Sequence, residues 1–90
     1  MDIEPTYAEK ELRLLLSPVP SGSFLNIQTN IPIDNFTKIS IIDMFGKVVY
    51  LQKMISANET INTNNFADGI YFVTIQSKNK SVVQKFIVQR

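Results

Sequence analysis

The chain has 90 residues, of which 44% are hydrophobic and 19% are charged, and its formal net charge is +1. A chain of this length folds as one domain and leaves little room for a deep catalytic cleft. It contains no Cys, His or Trp. Disulfides, thiol or imidazole catalysis and metal sites built from Cys and His are therefore excluded. We expect a small module that is not an enzyme and uses no cofactor.

The first eleven residues are acidic and include a proline. They lack the basic region and following apolar stretch of a signal peptide. No apolar run in the chain approaches the roughly 20 residues that a membrane-spanning helix needs. We predict that residues 1–11 form an acidic linker to something upstream, and that residues 12–90 form the folded domain.

The remainder of the chain is rich in Val, Ile, Thr, Phe and Tyr, and its apolar residues tend to recur with period two. Between Tyr7 and Leu16 the spacing of Glu9 and Arg13 also permits a helical turn. Alternating leucines just before Pro18 favour a strand there instead. The pattern predicts seven strands: Leu12–Ser17, Phe24–Thr29, Thr37–Asp43, Lys47–Ile55, Glu59–Asn64, Gly69–Ser77 and Ser81–Gln89.

Turn-forming residues separate these predicted strands. The segment Pro18–Gly22 has two prolines, which lack a backbone donor, and a glycine that permits a positive φ. Gly46 is the residue best suited to a left-handed conformation in a short hairpin. Seven short strands with a turn every eight to twelve residues predict a seven-stranded antiparallel immunoglobulin-like β-sandwich.

Alternation along the strands also predicts the inward face. In the last strand Gln84 interrupts the apolar row. The residues expected in the core are Leu25, Ile27, Ile39, Ile41, Tyr71, Val73, Ile75, Val82, Phe86 and Val88.

The end of the chain is basic. Residues 78–90 contain no acidic residue and four basic ones, Lys78, Lys80, Lys85 and Arg90. Such cations can mark a nucleic-acid site. Here they alternate with apolar residues, which is typical of the solvated face of an edge or terminal strand. We therefore expect no nucleic-acid partner.

The acids outside the linker suit turns better than catalysis. Three of them, Asp34, Asp43 and Asp68, lie in or beside predicted turns. A glycosidase pair needs two carboxyl groups facing each other across a cleft. The chain also has no Asp-rich calcium loop and no glycine-rich phosphate loop. We expect no catalytic, metal or cofactor site.

Four local patterns follow one another towards the end of the chain. A Pro-x-Pro-x-Gly turn leads into an apolar strand, and a second apolar strand ends in Asp-x-x-Gly. A Phe-x-x-Gly-x-Tyr element comes next, and an apolar strand containing lysine closes the chain. Their residues are Pro18, Pro20 and Gly22; Asp43 and Gly46; Phe66, Gly69 and Tyr71; and Lys85–Arg90.

In this order the four patterns resemble the C-terminal sorting domain, type A, of proteins exported by the type IX secretion system of Bacteroidetes. The resemblance covers residues 12–90. Three positions depart from the usual family pattern. Val19 replaces an Asn, Ser17 an aromatic residue and Phe66 a Leu.

The resemblance implies that the domain is an address label for an upstream cargo in cis. Such cargo crosses the inner membrane, and its folded C-terminal domain is recognised in the periplasm. The implied partners are the type IX translocon, outer-membrane shuttle proteins and a sortase-like cysteine protease. That protease usually cleaves upstream of the sandwich, here within or before Met1–Leu12. The cargo then becomes secreted or surface-attached.

The resemblance also supports the terminal strand as essential. A short basic strand can pair with the edge of a receptor sheet. Gly69 and Tyr71 form a second candidate element, for which the alternative is a purely structural turn and core role. The predicted recognition residues are Gly69, Tyr71, Lys85, Phe86, Ile87, Val88 and Arg90. The predicted structural turn residues are Pro18, Pro20, Gly22, Asp43 and Gly46.

The main alternative is a fibronectin-like or carbohydrate-binding accessory module of a secreted hydrolase. Such modules usually present exposed Trp or Tyr platforms. With no Trp, with Tyr7 in the linker and with Tyr71 expected in the core, only Tyr50 is available for that role. A structural spacer domain is a third interpretation.

Overall fold

Two antiparallel sheets make up the computed structural model, which describes residues 12–18 and 21–89. The strands are β1 (Leu14–Ser17), β2 (Phe24–Thr29), β3 (Lys38–Asp43), β4 (Val48–Lys53), β5 (Asn58–Asn62), β6 (Gly69–Gln76) and β7 (Ser81–Val88). One sheet has the order β1-β2-β5 and the other the order β4-β3-β6-β7. This arrangement confirms the predicted seven-stranded antiparallel sandwich.

The core lies between the two sheets and follows the predicted alternation. From β2, Leu25 and Ile27 are buried, and Ile41, Val73 and Ile75 are buried on the opposite sheet. Of the predicted core residues, only Val82 is partly rather than fully buried. Burying a side chain of this size contributes about 1.5–3 kcal/mol relative to exposing it. The core also includes Leu14, Ile31, Met54 and Ile61.

The strand ends differ from the prediction where local hydrogen bonds turn the chain out of the ladder. β4 ends at Lys53 rather than Ile55, because the Met54 N–H donates to the Thr37 carbonyl (2.9 Å) and its side chain enters the core. β5 ends at Asn62, whose side-chain oxygen accepts the Asn64 N–H (2.8 Å). These bends explain why the apolar pattern overestimates both strands.

The first strand begins at Leu14, two residues later than predicted. Its leucines follow the predicted alternation, since Leu14 is buried and Leu12 and Leu16 are partly buried against the core. The predicted linker, residues 1–11, lies outside the described residues. No helix able to cross a membrane occurs in the part of the chain that the structure describes.

Candidate recognition site

The four sequence patterns meet at one end of the sandwich. The end of β7 contacts the β1–β2 loop, which in turn contacts the β5–β6 loop through the side chain of Thr63. The β5–β6 loop and the β3–β4 hairpin together line an open cavity of about 140 Å³. We call this end, formed by these three connections and the last residues of β7, the motif end.

The β1–β2 loop attaches to β7 through Ser21, which is fully buried. Its N–H donates to the Ile87 carbonyl (2.7 Å), and its own carbonyl accepts the Gln89 N–H (2.9 Å). Its hydroxyl donates to the Phe24 carbonyl (2.7 Å) and lies 3.2 Å from the Thr63 hydroxyl. Thr63 donates in turn to the Gly22 carbonyl (2.6 Å). Ser21 therefore connects the first turn to the last strand.

The predicted residues of this first turn have mixed outcomes. Pro18 is exposed and follows a cis peptide bond. Pro20 lies outside the described residues. Gly22 does not use the positive φ that a glycine permits, because only Gly46 and Gly69 have positive φ among the described residues. The turn depends on the hydrogen bonds of Ser21 and Thr63. In the sequence these two residues are marked only by their location beside predicted turns.

The β3–β4 hairpin is organised by Asp43. One of its carboxylate oxygens accepts the N–H groups of Phe45 and Lys47, both at 2.9 Å. The Asp43 carbonyl accepts the Gly46 N–H (3.0 Å), and Gly46 has φ 87°. A left-handed residue is needed here, which favours glycine. Phe45, at the tip of the hairpin, is 87% exposed.

The backbone conformation of Gly69 and the contacts of Tyr71 indicate that both residues have structural roles. Gly69 has φ 155°, which a residue with a side chain rarely adopts. The Tyr71 ring is buried, and its hydroxyl donates to the Ala67 carbonyl (2.6 Å). This bond from the start of β6 to the preceding loop is the tyrosine corner of immunoglobulin-like sandwiches. The ring also lies 5.2 Å from Phe66 and 5.6 Å from Phe86, centroid to centroid.

The predicted recognition residues of β7 divide between the two sides of the sheet. Phe86 and Val88 point into the core, where each is 1% exposed. Lys85 is exposed, and Ile87 is 39% exposed. Arg90 lies outside the described residues. Among the described members of this group, Lys85 and Ile87 are therefore the two whose side chains a partner can touch.

The outer edge of β7 is open along part of its length. β7 is the last strand of its sheet, and it pairs with β6 on one side. Because the Ile87 carbonyl and the Gln89 N–H point away from β6 to Ser21, the backbone groups of Val83 and Lys85 point outward as well. Within the described residues no strand pairs with that side of Val83 and Lys85. These groups form an available template for an added strand.

Asp34 organises the opposite end of the sandwich. Its carboxylate accepts the N–H of Phe36 (2.8 Å), the Thr37 hydroxyl (2.9 Å) and the N–H of Lys78 (3.2 Å). Desolvation raises the pKa of Asp34, but hydrogen bonds from Lys78, Phe36 and Thr37 outweigh it and leave this pKa below its ordinary value. Asp34 thus joins the β2–β3 and β6–β7 connections, as predicted for a turn acid. Among the described residues, no three His, Cys, Asp or Glu side chains are grouped as a metal ion would need.

Most of this chain matches the sequence model of a known protein family. The sequence model described as "Secretion system C-terminal sorting domain" matches residues 16–89. The chain belongs to this family of sorting domains. Membership supports a type IX secretion sorting signal, and it implies export to the cell surface or the medium and an interaction with the type IX machinery.

A solved structure agrees with this family at the level of the fold. The sorting domain is similar to a DUF3244-family protein with an immunoglobulin-like β-sandwich fold from Bacteroides vulgatus, with a TM-score of 0.66 and 26% identity. The match covers 88% of this chain and 95% of that one. Comparison with curated proteins gives no match.

The geometry gives little support to a carbohydrate-binding module. Tyr50 is only partly exposed and packs against the core, so it does not form a flat platform. Burial, together with the charge of Glu59, raises the pKa of its hydroxyl. The exposed rings of Phe36 and Phe45 lie at opposite ends of β3 and cannot bind one sugar chain together. A cavity of about 460 Å³ on the β1-β2-β5 sheet is lined by mainly polar residues such as Asn26 and Gln28.

Proposed function

We propose that this sorting domain directs an upstream cargo to the type IX translocon for export across the outer membrane. The single observation that carries the proposal is the family match over residues 16–89. In this proposal residues 12–90 are the sorting domain, and residues 1–11 are the acidic linker to the cargo. The cargo passes through the periplasm and becomes secreted or surface-attached.

We further propose that a sortase-like cysteine protease cleaves within or before Met1–Leu12. No residue of the sandwich contributes to that step. The proposed cleavage site precedes Leu14, where the first described strand begins. Cleavage there would leave the folded domain intact. Outer-membrane shuttle proteins and the translocon are its proposed partners.

The recognition surface is proposed to centre on the outer edge of β7. Exposed Lys85 and Ile87 and the outward backbone groups of Val83 and Lys85 are available for strand pairing with a receptor. Arg90, which lies outside the described residues, is proposed to add a positive charge to this pairing. A lysine on an unpaired edge also discourages pairing with the wrong strand. The outer edge of β7 therefore has backbone groups free to pair with a receptor strand and a lysine that discourages pairing with other strands.

The buried members of the predicted set act indirectly in this proposal. Tyr71, Phe86 and Val88 hold β6 and β7 in place, and Gly69 permits the turn into β6. Pro18, Pro20, Gly22, Asp43 and Gly46 shape the connections at the motif end. These residues position the edge of β7 and do not touch the receptor.

A reporter experiment tests the proposed function. A fluorescent protein with a secretory signal is placed before residues 1–90 and expressed in a bacterium with a type IX system. We expect the fusion in the medium or on the cell surface, whereas the same reporter without residues 1–90 stays in the periplasm. Periplasmic retention of both proteins would refute the proposal. Binding of the purified chain on a glycan array would support the accessory-module alternative instead.

A further inference from the structure

Half of the outward residues of the four-stranded sheet, seven of fourteen, are apolar. The strand register places alternate residues of β3, β4, β6 and β7 on this side, away from the core. We call this surface the outer face. Its members are Lys38, Ser40, Ile42, Val48, Leu51, Lys53, Ile70, Phe72, Thr74, Gln76, Ser81, Val83, Lys85 and Ile87.

Apolar side chains run across this face from one edge strand to the other. Val48 and Leu51 on β4 are 54% and 56% exposed, and Val83 on β7 is 58% exposed. Between them, Ile42 and Phe72 are opposite each other in the register and only partly covered. Exposed apolar side chains gathered on one sheet face are typical of an interaction site.

The charges on the outer face all have the same sign. Lys38 and Lys53 are directly opposite each other on β3 and β4, so their side chains share this face. Lys85 lies opposite Phe72 on the same face. None of the outward positions is Asp or Glu, and neither Lys38 nor Lys53 forms an ion pair within the described part of the chain. Like charges directly opposite each other destabilise a sheet, so this pair costs stability without benefit inside the domain.

We propose that the outer face binds a partner protein whose surface has an apolar strip bordered by carboxylates. The apolar strip would cover Leu51, Phe72 and Val83, and a carboxylate would bridge Lys38 and Lys53. Charge complementarity of this kind steers association and selects the partner. This proposal deepens the proposed function, because it assigns a chemistry to one component of the secretion machinery.

Two other occupants fit the face less well. A second copy would bring lysines against lysines, since identical faces carry the same charge. A lipid bilayer would bury the hydroxyl groups of Ser40 and Thr74, which share the central row with Leu51 and Val83, without hydrogen-bond partners. A protein surface can supply both the carboxylates and the hydrogen bonds.

Lys53→Glu separates recognition from stability. The substitution turns a repulsive cross-strand pair with Lys38 into an attractive one, so we expect the thermal midpoint of the domain to rise by about 2 to 6 °C. Export of the reporter fused to residues 1–90 should nevertheless fall at least about 5-fold, because one lysine of the proposed carboxylate site is reversed. A purely structural role predicts unchanged or improved export of the more stable variant.

Matched variants control for charge. Lys53→Arg keeps the cation, and Lys80→Glu makes the same change of net charge in the exposed β6–β7 turn. Both should be exported within about 2-fold of the wild-type fusion. If the wild-type fusion is exported and Lys53→Glu is exported equally well, the outer-face proposal is refuted while the proposed function stands. If the wild-type fusion itself is retained, the proposed function fails.

The alternative occupants give distinct results with the purified 90-residue chain. We expect no co-sedimentation with phosphatidylglycerol vesicles at about 100 mM salt and no dimer at about 100 μM. Vesicle binding that Lys53→Glu abolishes would overturn the proposal in favour of a membrane. A wild-type dimer that Leu51→Ser dissociates would overturn it in favour of a second copy.

Discussion

Single residues at the motif end fix the backbone where chain segments distant in sequence meet. Gly46 and Gly69 adopt positive φ in the connections that lead into β4 and β6. The buried hydroxyls of Ser21 and Thr63 donate to the carbonyl groups of Phe24 and Gly22. An unsatisfied buried polar group costs about 1–3 kcal/mol, so these bonds make the junction specific.

The three glycines provide an internal comparison of backbone strain. No atom outside its chain neighbours lies within 4 Å of the position that a Cβ would take at Gly22, Gly46 or Gly69. Space is therefore equal, and only φ differs. We expect Gly46→Ala to lower the free energy of unfolding by about 1–2 kcal/mol. Gly22→Ala should be neutral or stabilise by up to about 1 kcal/mol.

Urea denaturation of the purified variants measures this difference. Gly69→Ala is expected to follow Gly46→Ala, because its φ is also positive. Equal losses for Gly22→Ala and Gly46→Ala would show that the hairpin does not need the left-handed conformation.

Asp34 predicts a pH dependence of stability. Its pKa in the folded chain is lowered, so its ionised carboxylate stabilises the fold above the ordinary value of about 4. This contribution is lost as the pH falls through the lowered pKa. We expect the thermal midpoint of the wild type to exceed that of Asp34→Asn most at pH 6, with a difference that shrinks between pH 4 and pH 2. A difference that stays constant over this range would contradict the assignment.

At the scale of elements, β7 has three different environments. Its inward side chains complete the core, the Ile87 carbonyl and the Gln89 N–H are bonded to Ser21, and the outward backbone groups of Val83 and Lys85 are open. The alternating pattern of the sequence predicts the first of these, because burial has period two in a strand. It does not predict the second, because an isolated bridge between one loop residue and a distant strand has no periodicity.

Strands with a clear local pattern are the parts of the fold that the sequence predicts well. β2 is predicted to the residue, because clear turn residues flank its alternation. β4 is predicted too long, because Met54 is apolar but leaves the ladder to enter the core. Sheet membership and the convergence of the four patterns depend on contacts distant along the chain. Neither can be read from local spacing.

A proline scan of β7 tests the open edge. Val83→Pro removes an outward N–H and should leave the ladder with β6 intact, since proline is tolerated on the free side of an edge strand. Gln84→Pro removes an N–H that points to β6 and should lower the thermal midpoint by more than about 10 °C. We expect Val83→Pro to fold but to be exported several-fold less well. Normal export of a folded Val83→Pro fusion would argue against strand pairing at this edge.

In the whole molecule, the buried core of the sandwich holds the exposed surfaces of β4 and β7 in place for contacts with partners. Three described residues of the family pattern, Tyr71, Phe86 and Val88, are buried. Such residues preserve the fold, whereas exposed positions on β4 and β7 offer contacts. Substitutions in the two groups should therefore affect export in different ways.

Two buried valines test whether buried residues affect export only through the stability of the fold. Val88 belongs to the terminal pattern and Val73 does not, yet both are almost fully buried. We expect Val88→Ala and Val73→Ala each to cost about 2 kcal/mol of stability and to reduce export to a similar extent. A much larger export defect for Val88→Ala, at equal stability, would show that the buried pattern is read directly.

Expressing the same reporter in two strains tests whether residues 1–90 act as a type IX sorting signal. A fluorescent protein with a secretory signal and residues 1–90 is expressed in a type IX-competent bacterium and in a strain lacking the translocon, and its fluorescence is measured in the periplasm, on the surface and in the medium. If the domain is a type IX sorting signal, the reporter is exported in the first strain and retained in the periplasm in the second. Equal distribution of the reporter in the two strains would contradict it.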